Sequence, residues 1–412
     1  MRTKKPLLLV AVAVAAVLAV VAGLLVWLVP GDEANAAQLV RPDSAAVDRA
    51  EEARVTAGAS TVDMMLTAAP ATVDVGGTTV DTWAFNGAVP GPTIRATAGD
   101  VLRARVANDL PEELTIHWHG IALRNDMDGV PDLTQQPIAP GEEFTYEFTL
   151  PDPGTYFYHP HTGTQLDRGL YGALVVDDPA AAPTGTDVPL LLDDWIDGTG
   201  QTPDEVLSGL TSMAGMDMDD GSMPGMDMGE GSMPGMDMGD SGSSEPASPL
   251  GDDIADVQYP MYLINGKTAD APQVYPVAAG EQVRLRLINA ASTTPFRVAF
   301  GGGQMTVVAT DGFPVEPVAT DALLIGMGER YDVLVTVPGA SAFPLVAAVE
   351  GGGLQTMSVL QAGDAALPAP DVRPTGLDGR LLTYDDLQAT PEVALPEGKA
   401  DRSYEMKLSG DM

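Results

Sequence analysis

The amino-acid sequence predicts an all-β protein built as consecutive domains of one class. At 412 residues the chain has room for two or three domains with full hydrophobic cores. Its 45 Gly and 34 Pro fall between short runs rich in Val and Leu, as turn punctuation does in all-β proteins. Those runs recur at short intervals in two series of similar length, the pattern of β-sandwiches or small barrels.

From the N-terminus, Arg2, Lys4 and Lys5 precede an uncharged apolar run from Pro6 to Val29. That run is long enough to cross a hydrocarbon core of roughly 30 Å at about 1.5 Å per residue. Residues 1–30 therefore read as a transmembrane anchor or a signal peptide. The length favours an uncleaved anchor, although Ala34-Asn35-Ala36 would serve as a small-residue cleavage site. By the positive-inside rule the remainder is extracytoplasmic, membrane-anchored or secreted. Residues 31–60 lack sustained apolar periodicity and read as a tether.

The first domain is expected over residues 61–180, with strands at Thr79–Phe85, Val101–Val106, Leu114–His119, Phe144–Leu150, Thr155–His159 and Gly172–Val176. Turns such as Val89-Pro90-Gly91-Pro92 separate them. The second, over residues 187–361, has strands expected at Val188–Leu192, Met261–Ile264, Gln282–Ile288, Phe296–Val298, Met305–Ala309, Ala322–Ile325 and Tyr331–Val337. Inside it, at about residues 208–250, lies a repeat of Gly-Ser-Met-Pro-Gly-Met-Asp-Met type whose density of Gly, Pro and Asp predicts a disordered insertion. Residues 362–412 turn to Pro, Ala, Gly and Asp and read as a linker, with Arg402–Leu408 resembling the first strand of a further domain.

The 58 acidic residues against 21 basic ones give a net charge of -37. Such a surface repels nucleic-acid phosphates and anionic headgroups, favours cations as partners, and keeps an exported protein soluble. Cysteine is absent, which excludes disulfides, thiolate zinc, iron–sulfur clusters, thiol nucleophiles and cysteine-based blue copper within this chain.

Imidazole chemistry rests on four histidines, and all four fall in two matched pairs. In Leu114-Thr-Ile-His117-Trp-His119-Gly120 the two rings project from one face of a strand while Ile116 and Trp118 face the other. The geometry recurs in Thr155-Tyr-Phe-Tyr-His159-Pro-His161, with Tyr156 and Tyr158 opposite and Pro160 marking the strand's end. A lone histidine is most often a solvated or hydrogen-bonded side chain; two pairs point to a metal, with copper, zinc, iron and nickel all open. The repeat narrows the choice. Clustered thioethers at Met213, Met216, Met218, Met223, Met226, Met228, Met233, Met236 and Met238 are soft ligands that select Cu(I), unless the repeat is only a spacer expanded by duplication.

Several motifs together resemble the multicopper oxidases of the three-cupredoxin-domain, laccase and copper-resistance type. They include Val89-Pro-Gly-Pro-Thr-Ile-Arg95, His117-Trp-His-Gly120, Asp128-Gly-Val-Pro131, Gly154-Thr-Tyr-Phe-Tyr-His-Pro-His161, Arg284-Leu-Arg-Leu-Ile-Asn289 and Gly328-Glu-Arg-Tyr-Asp332. The resemblance implies tandem cupredoxin-like Greek-key β-sandwich domains. It also implies an oxidase that couples one-electron oxidation of Cu(I) or phenols to reduction of dioxygen to water. His117 is then a ligand of type 2 copper, His119 and His159 of one type 3 copper, and His161 of the other. Asp128 matches an acidic residue that assists proton delivery, though Asp-Gly is also an ordinary turn pair. Family members take their other cluster histidines and the type 1 site from a third cupredoxin domain, in cis here or in a partner chain. The expectation is a fragment that carries part of the copper ligands and is inactive alone. The alternatives are a copper-sequestering protein and one half of a split oxidase.

Overall fold

The computed structural model describes residues 44–55, 58–181, 185–214, 248–251, 254–255, 257–396, 398–400 and 402–407. The anchor or signal peptide expected at residues 1–30 lies outside them, as do Met216, Met218, Met223, Met226, Met228, Met233, Met236, Met238 and the side chain of Met213. No helix among the described residues is long and apolar enough to cross a membrane.

The first sandwich comprises β1 (Thr61–Val75), β2 (Thr78–Phe85), β3 (Ile94–Thr97), β4 (Val101–Asn108), β5 (His117–His119), β6 (Glu143–Thr149), β7 (Gly154–His159) and β8 (Gly172–Asp177). One sheet has the order β2-β1-β4-β6 and the other β3-β8-β7-β5. β1 runs parallel to β4, and β3 parallel to β8, among otherwise antiparallel pairs. β4 shows why these residues make a half-buried strand: Leu102, Ala104 and Val106 are fully buried while Arg103 and Arg105 alternate with them outward. Trp118 fills the centre, with Tyr146, Phe148 and Tyr158 packed on its ring at 5.3–5.8 Å between centroids.

The second sandwich comprises β9 (Asp187–Trp195), β10 (Met261–Ile264), β11 (Val274–Pro276), β12 (Gln282–Asn289), β13 (Phe296–Phe300), β14 (Met305–Thr310), β15 (Phe313–Thr320), β16 (Ala322–Ile325), β17 (Arg330–Thr336), β18 (Ala342–Val349) and β19 (Gln355–Gln361). Its sheets have the orders β10-β9-β12-β17-β14-β15 and β11-β19-β18-β13-β16. Both units are cupredoxin-like β-sandwiches with mixed sheets.

The domains share an apolar seam. Phe157, Tyr171 and Ala173 of the first pack with Leu191, Ile288 and Ala290 of the second, all buried. β7 is therefore covered on both faces, which accounts for the unbroken Tyr-Phe-Tyr run in its sequence.

Strands β3, β11, β15, β18 and β19 fall outside the expected series, and other stretches depart from the sequence reading as well. The tether contains helix α1 (Ala45–Glu52), whose Glu51 carboxylate turns inward to accept the Thr149 amide while Arg124 pairs with Asp48 at 2.7 Å. Strand β1 was hidden by Pro70, which lies beyond the stretch paired to β4, where the strand has a neighbour on one side only. The insertion begins as helix α2 (Pro203–Ala214), started by a Thr202/Glu205 capping box. Residues 362–396 are no free linker. They lie along the edge of the second sandwich, burying Leu377 and Leu382 and bridging Ala322 to Leu381 and Val315 to Ala389. Arg402–Lys407 forms no strand.

Candidate metal centre

Alternation along two antiparallel strands builds the site. β5 pairs with β7 so that His117 stands opposite His159, Trp118 opposite Tyr158 and His119 opposite Phe157. Trp118 and Tyr158 point into the core, so His117, His119, Phe157 and His159 share the outer face. His161, just past the strand end, stacks on His117 with ring centroids 4.4 Å apart. All four sequence-predicted histidines meet. One ring nitrogen each of His117, His119 and His159 lies within 4.8 Å of the others, the only such ligand group among the described residues. β5 is shorter than the expected Leu114–His119, because Leu114 turns aside to bridge Ile138.

Hydrogen bonds decide which nitrogens are free. His159 Nδ1 lies 3.0 Å from the Pro160 carbonyl, which only accepts, so the neutral ring carries its proton there and keeps its lone pair at Nε2. His117 Nδ1 faces two acceptors, the Asp128 carbonyl at 2.9 Å and Asp128 Oδ1 at 3.2 Å, leaving Nε2 free in the same way. His119 Nδ1 points at His159 Nε2 from 3.2 Å. That separation suits two nitrogens on a single ion at ordinary metal–nitrogen distances of about 2.0–2.1 Å. His119 donates its Nδ1 proton across this gap; these are the two nitrogens that would hold a cation once that proton is lost.

Burial, with the Arg330 charge next in importance, pushes the His119 imidazole down to about 3. Burial also pushes His159 down to about 4 and His161 downward. The rings are thus neutral near pH 7, the form in which imidazole ligates without competition from protons. Asp128 is held below the usual carboxylate range, chiefly by its hydrogen bond from His117. Its turn passes directly beneath β5: a Cβ on Gly129, at φ 77°, would run into the backbone of Ile116 and His117. Only glycine lets the Asp-Gly turn come close enough for Asp128 to orient His117.

Sequence reasoning left two neighbours without a role. Phe157 stacks on His119 at 4.4 Å between centroids, and the Gly328–Arg330 turn of the second domain backs onto His119. The Gly328-Glu-Arg-Tyr-Asp332 motif was visible, but not its approach to a strand some two hundred residues earlier.

Family models described as "Multicopper oxidase" match residues 67–181 and 242–364. Multicopper oxidase MmcO of Mycobacterium tuberculosis is 43% identical over 371 residues, covering 90% of this chain and 70% of that protein. Copper resistance protein A of Escherichia coli is 32% identical over 332 residues, 78% of this chain and 53% of that one. Among solved structures, a multi-copper oxidase from Pseudomonas thermotolerans superposes with a TM-score of 0.58 at 30% identity, covering 82% of this chain and 70% of that one. The chain belongs to the multicopper oxidase family. Copper is that family's metal, and the His117, His119 and His159 cluster is where an all-imidazole donor set fits it.

Proposed function

We propose that the four histidines form one side of a polynuclear copper cluster in an oxidase that takes single electrons from Cu(I) or phenols and passes them to dioxygen, giving water. The observation that carries this is the convergence of two strand-borne imidazole pairs on one face, with His119 Nδ1 and His159 Nε2 3.2 Å apart. Bound copper supplies the redox chemistry. The protein's part is positional. Asp128 fixes His117 through Nδ1 and keeps an ionised carboxylate beside the cluster as an acceptor through which a proton can pass, Phe157 covers one face of His119, and burial keeps His119 and His159 unprotonated.

By family resemblance His117 is the type 2 ligand, His119 and His159 hold one type 3 copper, and His161 the other. With four histidines and no cysteine in the chain, the remaining ligands come from a further cupredoxin domain, in cis or in a partner chain. The methionine repeat captures Cu(I) for this cluster. In support, the helix leading into it is tied to the loop after His161, with Asp204 bonded to Thr164 at 2.6 Å and Arg168 at 2.5 Å. The apolar run at residues 6–29 holds the sandwiches outside the cytoplasm, as anchor or signal.

Copper loading of the 412-residue chain, alone and fused at its C-terminus to a cupredoxin domain bearing His-Cys-His, tests this. Copper uptake without turnover is expected alone, and oxygen consumption only in the fusion. Steady turnover by the chain alone would overturn the shared-ligand scheme, and no uptake by either form would overturn the copper site itself.

A further inference from the structure

Arg330, at the start of β17, is a cation buried to 5% exposure in the wall between the domains. Burying a guanidinium is expensive unless its donors are used and its charge is paired. Here Nη1 donates to the Gly328 carbonyl at 2.9 Å and lies 3.2 Å from Asp311 Oδ1, while Nε donates to the Thr155 carbonyl of β7 at 3.2 Å. The guanidinium also sits 6.0 Å from the centroid of the Tyr156 ring. On its remaining side is Gly120, at φ 88°, where any Cβ would collide with Nη2. One side chain of the second domain thus bonds to two backbone segments around His119, the strand opposite it and the turn behind it, and packs against a third, the residue after it.

The consequence falls on the His119 ring. Phe157, two residues along β7 from the gripped Thr155, lies against one face of the ring. Gly328, whose carbonyl Arg330 holds, meets the Cε1–Nε2 edge, where a Cβ would come within 2.9 Å of Cε1 and 3.2 Å of Nε2. A ring held at face and edge keeps one orientation, with Nδ1 toward His159.

We propose that Arg330 is a positioning residue for His119: by clamping the Gly328 turn and the Thr155 backbone against Gly120, the second domain sets which His119 nitrogen faces His159. This rests on His119 being a copper ligand. Its effect is geometric, so charge alone at position 330 does not replace it.

The test uses the full chain with its histidines ¹⁵N-labelled; only four ring systems contribute. Ring nitrogen shifts are followed by NMR while Ag(I), a diamagnetic mimic of Cu(I), is added, and Cu(I) affinity is measured by competition with a colorimetric chelator. In the native chain His119 should respond at Nδ1 and His159 at Nε2. In Arg330→Met and Arg330→Lys alike, His119 should respond at both nitrogens or broaden, with Cu(I) affinity about tenfold weaker. Gly328→Ala, which keeps Arg330 but pushes a Cβ at the ring, should disturb His119 while leaving His161 unmoved, and it covers the case in which an Arg330 variant fails to fold. An unchanged His119 response in folded Arg330→Met, or full recovery in Arg330→Lys, would overturn the proposal. No response of any ring in the native chain would instead overturn the copper reading beneath it.

Discussion

The seam between the domains carries an acidic group whose titration gives a pH signature of the fold. Asp167, in the turn before β8, is half-buried beside Asp194 and receives the Tyr259 hydroxyl at 3.4 Å. Burial, only partly relieved by a hydrogen bond from Ser292, raises its carboxyl from 3.8 to about 6. Between those values the folded chain holds a proton that the unfolded chain has released, so stability falls as pH rises through about 4 to 6 and stays reduced above it. At about 1.4 kcal/mol per pH unit the penalty is about 3 kcal/mol at full burial, and about 2 kcal/mol once residual solvent access is counted. Asp167→Asn keeps the acceptor for Tyr259 and removes the charge. Urea denaturation of both chains at pH 4 and pH 7.5 is the assay. The variant should gain about 2 kcal/mol at pH 7.5 and almost nothing at pH 4. A gain equal at both pH values, or a loss at pH 7.5, would refute an ionisation-linked penalty at this residue.

Other perturbations act nearer the histidines. Gly129→Ala must push the Asp-Gly turn off β5, so copper affinity measured by competition should fall at least tenfold while Gly141→Ala, at a positive-φ position with open space, changes stability by about 1 kcal/mol and copper binding not at all. Trp118→Ala removes the ring at the centre of the first core and should cost about 3–5 kcal/mol in denaturant melts. Replacing the methionines from Met213 to Met238 with leucine should lower Cu(I) stoichiometry in competition titration and leave Cu(II) uptake at the histidines unchanged. Asp332→Ala strips Arg286 and Thr155 of a buried partner and should destabilise by about 3–5 kcal/mol, weakening the contact between the domains.

The centre was legible in the sequence because the strand period is two. Residues at i and i+2 share a face, so His117 with His119 and His159 with His161 could be placed together, with Trp118 and Tyr158 behind them, before any coordinates. β5 and β7 were found for the same reason. β1 was not, since Pro70 and its run of Thr, Asp and Ala mask an alternation that only the neighbouring strands make visible. The edge strand β15, with Pro314 and Pro317, was missed likewise, as was the docking of residues 362–396, where a few buried residues such as Leu377 and Leu382 hold an otherwise irregular segment. Asp128 could be named from its motif, but its two bonds to His117 depend on how closely Gly129 approaches β5. Arg330 lay furthest from reach: its work is done across a domain boundary, and no local pattern marks a side chain that buttresses a strand of another domain.

The most direct measurement is to locate copper in the loaded protein by anomalous scattering at the copper edge, in the native chain and in His119→Ala. The account predicts a peak between His119 Nδ1 and His159 Nε2 in the native chain, lost or markedly weakened in the variant. Copper bound elsewhere, with no peak between these two rings and no change in the variant, would contradict it.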